Sequence, residues 1–145
     1  MPGTKDLLLN FTDTLTRSIS TMQEHTSLVP DLIIPKKYKA LYVEVSADVN
    51  LASAGTENQP ALQLDLLDKN NYTRNYLYSS NRDIVLMAQG DYIPKQWNHV
   101  STNDRFTLDD YRNYNNLVFE LALYNNKVPI NLKMKQLKVV VYGIQ

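Results

Sequence analysis

A period-two alternation from Leu41 to Leu51 constrains the fold of this chain more than any other feature. In the segment LYVEVSADVNL every second residue is apolar, and the residues between them are polar or tyrosine. Successive side chains of a β-strand point to opposite faces, so this spacing predicts a strand with one buried and one solvated face. Such a strand needs a sheet, and the sheet needs a second layer over its apolar face.

Further strand-like segments follow along the chain, most of them alternating, with one rich in tyrosine (residues 72–80) and one a short apolar run (residues 82–88). They are residues 61–68 (ALQLDLLD), 72–80 (YTRNYLYSS), 82–88 (RDIVLMA), 99–108 (HVSTNDRFTL), 117–124, 128–134 and 137–143. Turn-rich stretches with Asn, Asp, Gly and Pro separate them. The pattern predicts an all-β fold with about eight strands, a two-sheet antiparallel β-sandwich of the jelly-roll type.

The sequence also predicts one strand pairing and the structure of the N-terminal segment. We expect residues 61–68 to pair with Leu41–Leu51, because only a turn-rich connection separates them. The N-terminal segment is irregular, and residues 12–25 are also compatible with a helical turn or two. We expect LLLNF and RSIS to be strands, because the rest of the chain provides sheets that they can join. The stretch LVPDLIIPKKYK contains two prolines, which predicts an edge or linker conformation.

The length of 145 residues predicts one domain spanning residues 1–145. At this size, folding buries roughly two-thirds of the surface of the unfolded chain, which is enough for one core. There is no internal repeat and no shift in composition that would mark a second domain. We expect residues 1–5 to be an artificial start joined to a trimmed piece of a larger protein, and a natural cytosolic protein remains the other interpretation.

Charge and composition exclude several classes of partner. The chain has 15 Lys and Arg against 15 Asp and Glu, and the pI is about 6.7. Such a balance disfavours nucleic acid, which binds through an excess of positive charge. No apolar run approaches the roughly 20 residues of a membrane-spanning helix, so we expect no direct membrane insertion. The absence of cysteine excludes disulfides and thiolate chemistry but does not decide the compartment.

The sequence predicts no catalytic site, no metal and no cofactor. His25 and His99 are the two histidines, and neither belongs to a His-Glu-x-x-His pair or has further ligands at a metal-like spacing. Four glycines do not form a phosphate-binding loop. Paired acids such as Asp109 and Asp110, or Asp65 and Asp68, are the residue type that a glycosidase uses. Acids are nevertheless common in turns for another reason, because their side chains bond to nearby backbone amides. We therefore expect a protein that is not an enzyme.

The second half of the chain resembles a known family. The residues that carry the resemblance are, in chain order, Trp97, His99–Val100, Phe106–Leu108, Asn115–Asn126 and Ile130–Gly143. It resembles the C-terminal half of galactose-binding-like jelly rolls, which comprise non-catalytic carbohydrate-binding modules and accessory domains of bacterial envelope proteins. The resemblance implies that Trp97 is a core ring and that Asp109–Asn116 crosses between sheets. The stretch INLKMKQL departs from the family, which often has an acidic residue there, so any calcium or anchoring role of that acid does not carry over.

A candidate ligand surface follows from the tyrosine-rich strand. Tyr76 and Tyr78 share one face of residues 72–80, and neighbouring strands would add Gln63, Asp65, Glu120 and Tyr124 to the same outward sheet face. Aromatic rings with amide and carboxylate groups are the combination that binds sugars. The alternative is that tyrosine simply suits a half-solvated strand.

Three functions remain open on this sequence. The favoured hypothesis is a non-catalytic accessory module of a larger bacterial envelope protein, located in the periplasm or outside the cell, which contacts another envelope protein. The second is a carbohydrate-binding module that uses the aromatic and polar sheet face. The third is a structural protein of a virus or phage particle, since jelly rolls also build capsids. A cytosolic location also remains open, and fold analogy alone does not separate the three functions.

Overall fold

The computed structural model describes residues 5–20, 28–51, 61–68, 83–87, 93, 95–108, 116–124 and 131–145. All secondary structure in these ranges is β-strand. The strands are β1 (Lys5–Asp13), β2 (Arg17–Ser20), β3 (Leu32–Ile33), β4 (Ala40–Asn50), β5 (Ala61–Asp68), β6 (Asp83–Met87), β7 (Trp97–Thr107), β8 (Asn116–Tyr124) and β9 (Asn131–Ile144). The expected strand in residues 72–80 lies outside the described residues.

The nine strands form two antiparallel sheets, which confirms the predicted all-β jelly-roll sandwich. One sheet has the order β1-β9-β4-β7, with β2 also paired to β9, and the other has the order β3-β8-β5-β6. LLLNF and RSIS are strands as expected, and the proline-containing segment supplies the short edge strand β3. The described N-terminal region is therefore part of both sheets.

The predicted pairing of residues 61–68 with Leu41–Leu51 is wrong. β4 lies between β7 and β9 in the five-stranded sheet, whereas β5 lies between β6 and β8 in the opposite sheet. Alternation shows that each strand buries one face, but it does not identify the strand beside it. Here the two apolar faces meet across the core, so the segments are neighbours in different layers.

The core lies between the apolar faces of the two sheets. The inward residues of β4 are fully or almost fully buried, as are those of β5 and β8 that face them. The contributions are Val43, Val45, Ala47 and Val49 from β4, Leu62, Leu64 and Leu66 from β5, and Leu117, Phe119, Leu121 and Leu123 from β8. Burial of these side chains is the main favourable free energy of the fold, at roughly 25 cal/mol per Å².

A bulge makes one strand out of the two closing segments. The sequence predicts separate strands because the apolar positions change from even numbers at Leu132 and Met134 to odd numbers at Leu137 and Val139. In the structure β9 is continuous over 14 residues, and Gln136 has a φ of 54°. The pairing register with β4 shifts at this point. The extra residue restores the inward direction of the apolar side chains on both halves of the strand.

Trp97 is not a core residue, which corrects the role implied by the family resemblance. Its side chain is 41% exposed and it pairs with Asn50 at the start of β7. Val100 and Phe106 of the same strand are buried, and both differ from Trp97 by an odd number of positions. Side chains separated by an odd number of positions in a regular strand point to opposite faces. Trp97 therefore lies on the outer face of the five-stranded sheet.

The connection from β7 to β8 joins the two sheets, as the sequence predicts. Phe106 and Leu108 are buried at the end of β7, and Leu117 and Phe119 are buried in β8. Since β7 and β8 belong to different sheets, the segment between them crosses the sandwich. Residues 109–115 of this loop lie outside the described residues.

An ion pair closes the turn between β1 and β2. The Arg17 guanidinium donates from Nε to Asp13 Oδ2 at 2.8 Å, and the Leu15 backbone N–H donates to Asp13 Oδ1 at 3.1 Å. These hydrogen bonds, that from Arg17 foremost, hold the pKa of the Asp13 carboxyl below its ordinary value. The ionised carboxylate therefore stabilises the turn.

This pair predicts a loss of stability in acid. Because the folded-state pKa of Asp13 is lowered, its contribution is fully present above pH about 4 and is lost as the pH falls through the lowered folded-state pKa. We expect Asp13→Asn and Arg17→Met both to flatten the dependence of unfolding free energy on pH below about 4. Urea unfolding across this range measures the slope. Two variants with the wild-type slope would contradict the assignment.

Candidate functional site

The predicted ligand surface lies on the outer face of the four-stranded sheet. Among the described residues, the structure brings Gln63, Asp65 and Glu120 together. Asp65 on β5 is directly opposite Glu120 on β8, and the Gln63 side-chain amide donates to Asp65 Oδ1 at 2.8 Å. The backbone of Tyr124 pairs with Ala61 on the same two strands, and its side chain lies outside the described part. Tyr76 and Tyr78 also lie outside the described residues.

Burial distinguishes this group from the open surface that the alternation predicts. Asp65 is fully buried and Glu120 is 8% exposed, whereas Gln63 is half-buried. Alternation in ALQLDLLD places Asp65 opposite the core, but it does not report what else covers that position. A ligand in solution does not reach these two carboxyl groups as the structure stands.

The outer face of the five-stranded sheet is open and polar along three adjacent strands. β4 lies in the centre, with β7 on one side and β9 on the other. Its outward residues pair with outward residues of both neighbours, so each row across the sheet contains three side chains. From one end to the other the rows are Arg105, Tyr42 and Tyr142; Asn103, Glu44 and Val140; Ser101, Ser46 and Lys138; His99, Asp48 and Lys135; and Trp97, Asn50 and Lys133.

A groove of about 360 Å³ lies in the middle of this face. Its lining comes from β4, β7 and β9, and most of the lining side chains are polar. They are Glu44, Ser46, His99, Ser101, Asn103 and Lys138, together with Val45, Thr102 and Val140. The depression arises because Ser46 and Ser101 are small and paired, while the rows on either side carry longer side chains. We call this depression the sheet groove.

The sheet groove offers donors and acceptors in close alternation. Lys138 donates only, the Glu44 carboxylate accepts only, and serine hydroxyls and the Asn103 amide do both. Such a set matches ligands rich in hydroxyl groups, because each hydroxyl donates one hydrogen bond and accepts others. Most of these side chains are exposed or half-buried, so a ligand reaches them without a rearrangement of the core.

His99 is oriented by a hydrogen bond to Asp48. The distance between His99 Nδ1 and Asp48 Oδ1 is 2.9 Å, and the two residues are paired across β7 and β4. A carboxylate oxygen accepts hydrogen bonds, so the Nδ1–H group of His99 is the donor in this contact. Nε2 is then the ring atom left for a ligand at the edge of the sheet groove.

Aromatic rings flank the sheet groove at both ends. Tyr42 and Tyr142 are cross-strand partners with ring centroids 6.3 Å apart, and Trp97 lies at the opposite end of the face. The rows of Tyr42 and Asn50 are eight residues apart on β4, which corresponds to about 27 Å along the strand. The surface as a whole is therefore long enough for an extended polymer.

Sequence reasoning missed this surface although one signal for it was present. Tyr42, Glu44, Ser46 and Asp48 form the polar side of the strongest predicted strand. The same rule applied to β7 places Trp97 and His99 opposite Val100, and therefore outside the core. What the sequence does not contain is the pairing of β4 with both β7 and β9, which brings Lys138 and Tyr142 to the same face.

The described part of the chain contains neither a membrane-spanning helix nor a group of metal ligands. None of its segments forms an apolar helix long enough to cross a membrane. Within the same ranges, no three histidine, aspartate or glutamate side chains are grouped as a metal ion would require. The sheet groove is accordingly the candidate site that the described residues provide.

Comparisons with known proteins support the fold. No protein-family model matches the chain, and no curated protein matches it. A chain of infectious bursal disease virus, Gx strain, is similar with a TM-score of 0.59 and 8% identity, over 97% of this chain and 32% of that chain. The Gt strain of the same virus gives a TM-score of 0.57 and 8% identity, over 96% and 33%. The xylan-binding CBM22-1 domain of Paenibacillus barcinonensis Xyn10C gives 0.41 and 12%, over 92% and 93%.

The viral likeness covers almost the whole of this chain. The chain spans about a third of the length of the two viral chains. At 8% identity the similarity concerns the course of the backbone and not the surface residues. What the chain shares with these proteins is the two-sheet β-sandwich.

Proposed function

We propose that the chain is a non-catalytic carbohydrate-binding module and that the sheet groove is its binding surface. The observation that carries the proposal is the groove itself, an open depression of about 360 Å³ whose lining is mostly polar side chains from three adjacent strands. The donors and acceptors of this lining match a ligand rich in hydroxyl groups. The polar face opposite the core has no role in holding the two sheets together, which leaves it available for binding.

The shallow shape and the length of the surface favour a polymer over a small molecule as the ligand. A small-molecule site is normally a deep cleft that encloses most of its ligand. The sheet groove is instead a shallow depression on a face about 27 Å long, measured along β4. A sugar chain that lies along the sheet would contact several residues through its hydroxyl groups without being enclosed.

A filling variant tests this proposal. Ser101 lines the groove, so Ser101→Tyr places a ring where the sugar chain would lie. Affinity electrophoresis through gels that contain soluble polysaccharides, both neutral and acidic, measures binding as retardation. We expect at least one polysaccharide to retard the wild type and Ser101→Tyr to lose that retardation.

Ile33→Tyr is the control for this experiment. Ile33 is an exposed residue of β3 in the four-stranded sheet, which lies on the other side of the core from the groove. A tyrosine there should leave retardation unchanged. If no polysaccharide retards the wild type, or if Ser101→Tyr binds as the wild type does, the sheet groove is not a carbohydrate site.

The parent protein and the cellular location that we propose are those expected from the sequence. The proposed module belongs to a larger bacterial envelope protein and acts in the periplasm or outside the cell, where it positions its parent protein on a glycan or against another envelope protein. The support is the galactose-binding-like resemblance of the second half of the chain, together with the open sheet face. Fractionation of cells that express the parent protein tests the location, and recovery in the cytosol alone would contradict it.

A structural role in a virus particle is the second candidate. The observation in its favour is the fold likeness to infectious bursal disease virus over 97% of the chain. A particle protein should form large assemblies of uniform size at high concentration. Light scattering that finds only monomers under those conditions would contradict this candidate and leave the carbohydrate proposal untouched.

A further inference from the structure

The outer face of the five-stranded sheet is positively charged although the whole chain is neutral. Its cationic side chains, by strand register, are Lys5, Lys133, Lys135, Lys138 and Arg105. Its carboxylates in the described part are Glu44 and Asp48, and Asp48 is hydrogen-bonded to His99. Five cations against two carboxylates leave an excess of positive charge along the surface that contains the sheet groove.

Lysine ammonium groups lie directly over the aromatic rings of this face. Lys5 Nζ is 4.0 Å from the ring centroid of Tyr142 and 4.9 Å from that of Tyr42. At the other end of the face, Lys135 Nζ is 4.1 Å from the ring centroid of Trp97. These distances are those of cation–π pairs. Each aromatic end of the surface therefore presents a cation together with its ring.

This arrangement selects against ligands that need bare rings. A neutral sugar stacks its C–H face on an open aromatic ring, and nucleic-acid bases stack in the same way. An ammonium group over the ring occupies one of the positions that such a ligand would use. A ligand with its own negative charge instead pairs with the ammonium where it already lies.

We propose that the ligand of the sheet groove is an acidic polysaccharide, a sugar chain that carries carboxylate groups. This inference rests on the proposed carbohydrate function and names its ligand class. The hydroxyl groups of the chain meet Glu44, Ser101 and Asn103 in the groove, and its carboxylates pair with lysines, of which Lys138 lines the groove itself. Lys135 and Lys5 extend the positive charge to the two aromatic ends.

The test compares acidic polysaccharides with their own methyl esters. Polygalacturonate, alginate and hyaluronan are the probes, and esterification removes the carboxylate charge without changing the sugar backbone. We expect the wild type to bind at least one acidic form. We expect its affinity for the ester of that form to be lower by a factor of about ten or more. Raising NaCl to about 0.5 M should weaken binding of the acidic form, because salt screens exposed charges. Isothermal titration calorimetry measures the affinities.

Two double variants show whether the lysines of this face are responsible. Lys135→Gln with Lys138→Gln removes two charges from the surface. We expect about a tenfold loss of affinity, because each exposed ion pair contributes roughly 1.4- to fivefold. Lys36→Gln with Lys39→Gln is the matched control. It removes the same charge from the exposed segment before β4, outside the groove lining, and should leave affinity unchanged.

The outcomes separate this inference from the function on which it rests. Equal affinity for acidic and esterified chains, or binding of neutral polysaccharides alone, overturns the acidic ligand and leaves carbohydrate binding in place. Binding of no polysaccharide at all overturns both. A single-stranded DNA oligonucleotide that binds as tightly as the acidic sugar chains, and is displaced by them, shows a general polyanion surface and also overturns the acidic-sugar assignment.

Discussion

Phe119→Ala is expected to lower the free energy of unfolding by about 3–5 kcal/mol. Phe119 is a fully buried side chain in the centre of β8, and it pairs with Leu66 of β5 in the four-stranded sheet. Removal of the ring leaves a cavity between the two sheets, which close-packed neighbours fill only in part. Urea unfolding followed by tyrosine and tryptophan fluorescence measures the change. A loss below about 1 kcal/mol would mean that β8 does not bury this face.

Trp97→Ala tests whether the tryptophan side chain lies on the outer face of the sheet or in the core. A tryptophan in the core would cost as much as Phe119, or more, when truncated. On the outer face, Trp97 is 41% exposed and its described partner is the Lys135 ammonium, so we expect a loss of at most about 1 kcal/mol. Circular dichroism, rather than fluorescence, follows unfolding of this variant because it removes the single tryptophan. A loss in unfolding free energy equal to that of Phe119→Ala would show that Trp97 is a core residue.

The positions of Phe119 and Trp97 show which part of the fold the strand periodicity predicts. The alternation in β4 and β8 predicts their buried faces correctly, because burial of one strand face depends on side-chain spacing alone. The same spacing also places Trp97 opposite Val100. The core role is instead what the family resemblance implies, and the local period contradicts it. A period-two rule within one strand is the stronger physical argument.

Pairing and position across the sheet are not determined by local spacing. Residues 61–68 follow β4 closely in the chain, yet they cross to the other sheet, because both strands have an apolar face that the other can cover. The bulge at Gln136 is equally invisible in a search for strict alternation. These long-range choices decide which polar residues share a face. They explain why the predicted surface at Gln63, Asp65 and Glu120 and the open groove at Ser46 and Ser101 lie on opposite sheets.

Gly143→Ala is expected to destabilise the fold by about 1–3 kcal/mol through overpacking. Gly143 lies in β9 under the ring of Tyr38, and a Cβ atom added there would be 2.6 Å from Tyr38 Cδ1 and 2.7 Å from Cγ. The ring does not move aside easily. It is 3% exposed, and its hydroxyl donates to Asp6 Oδ2 at 2.7 Å. Glycine at this position permits the close approach of the ring to the strand.

A double variant separates this contact from the general effect of glycine in a strand. Without the ring, alanine at position 143 should be neutral or favourable, because glycine loses about 0.5–1 kcal/mol more backbone entropy on folding than alanine does. We therefore expect Gly143→Ala to cost about 1–3 kcal/mol in the wild type and nothing in a Tyr38→Leu background, a coupling within the range of residues in contact. Urea unfolding of the four proteins gives the cycle. Equal costs in both backgrounds would show that the ring of Tyr38 does not rest on Gly143, and that the contact between β9 and the segment before β4 is looser than the structure has it.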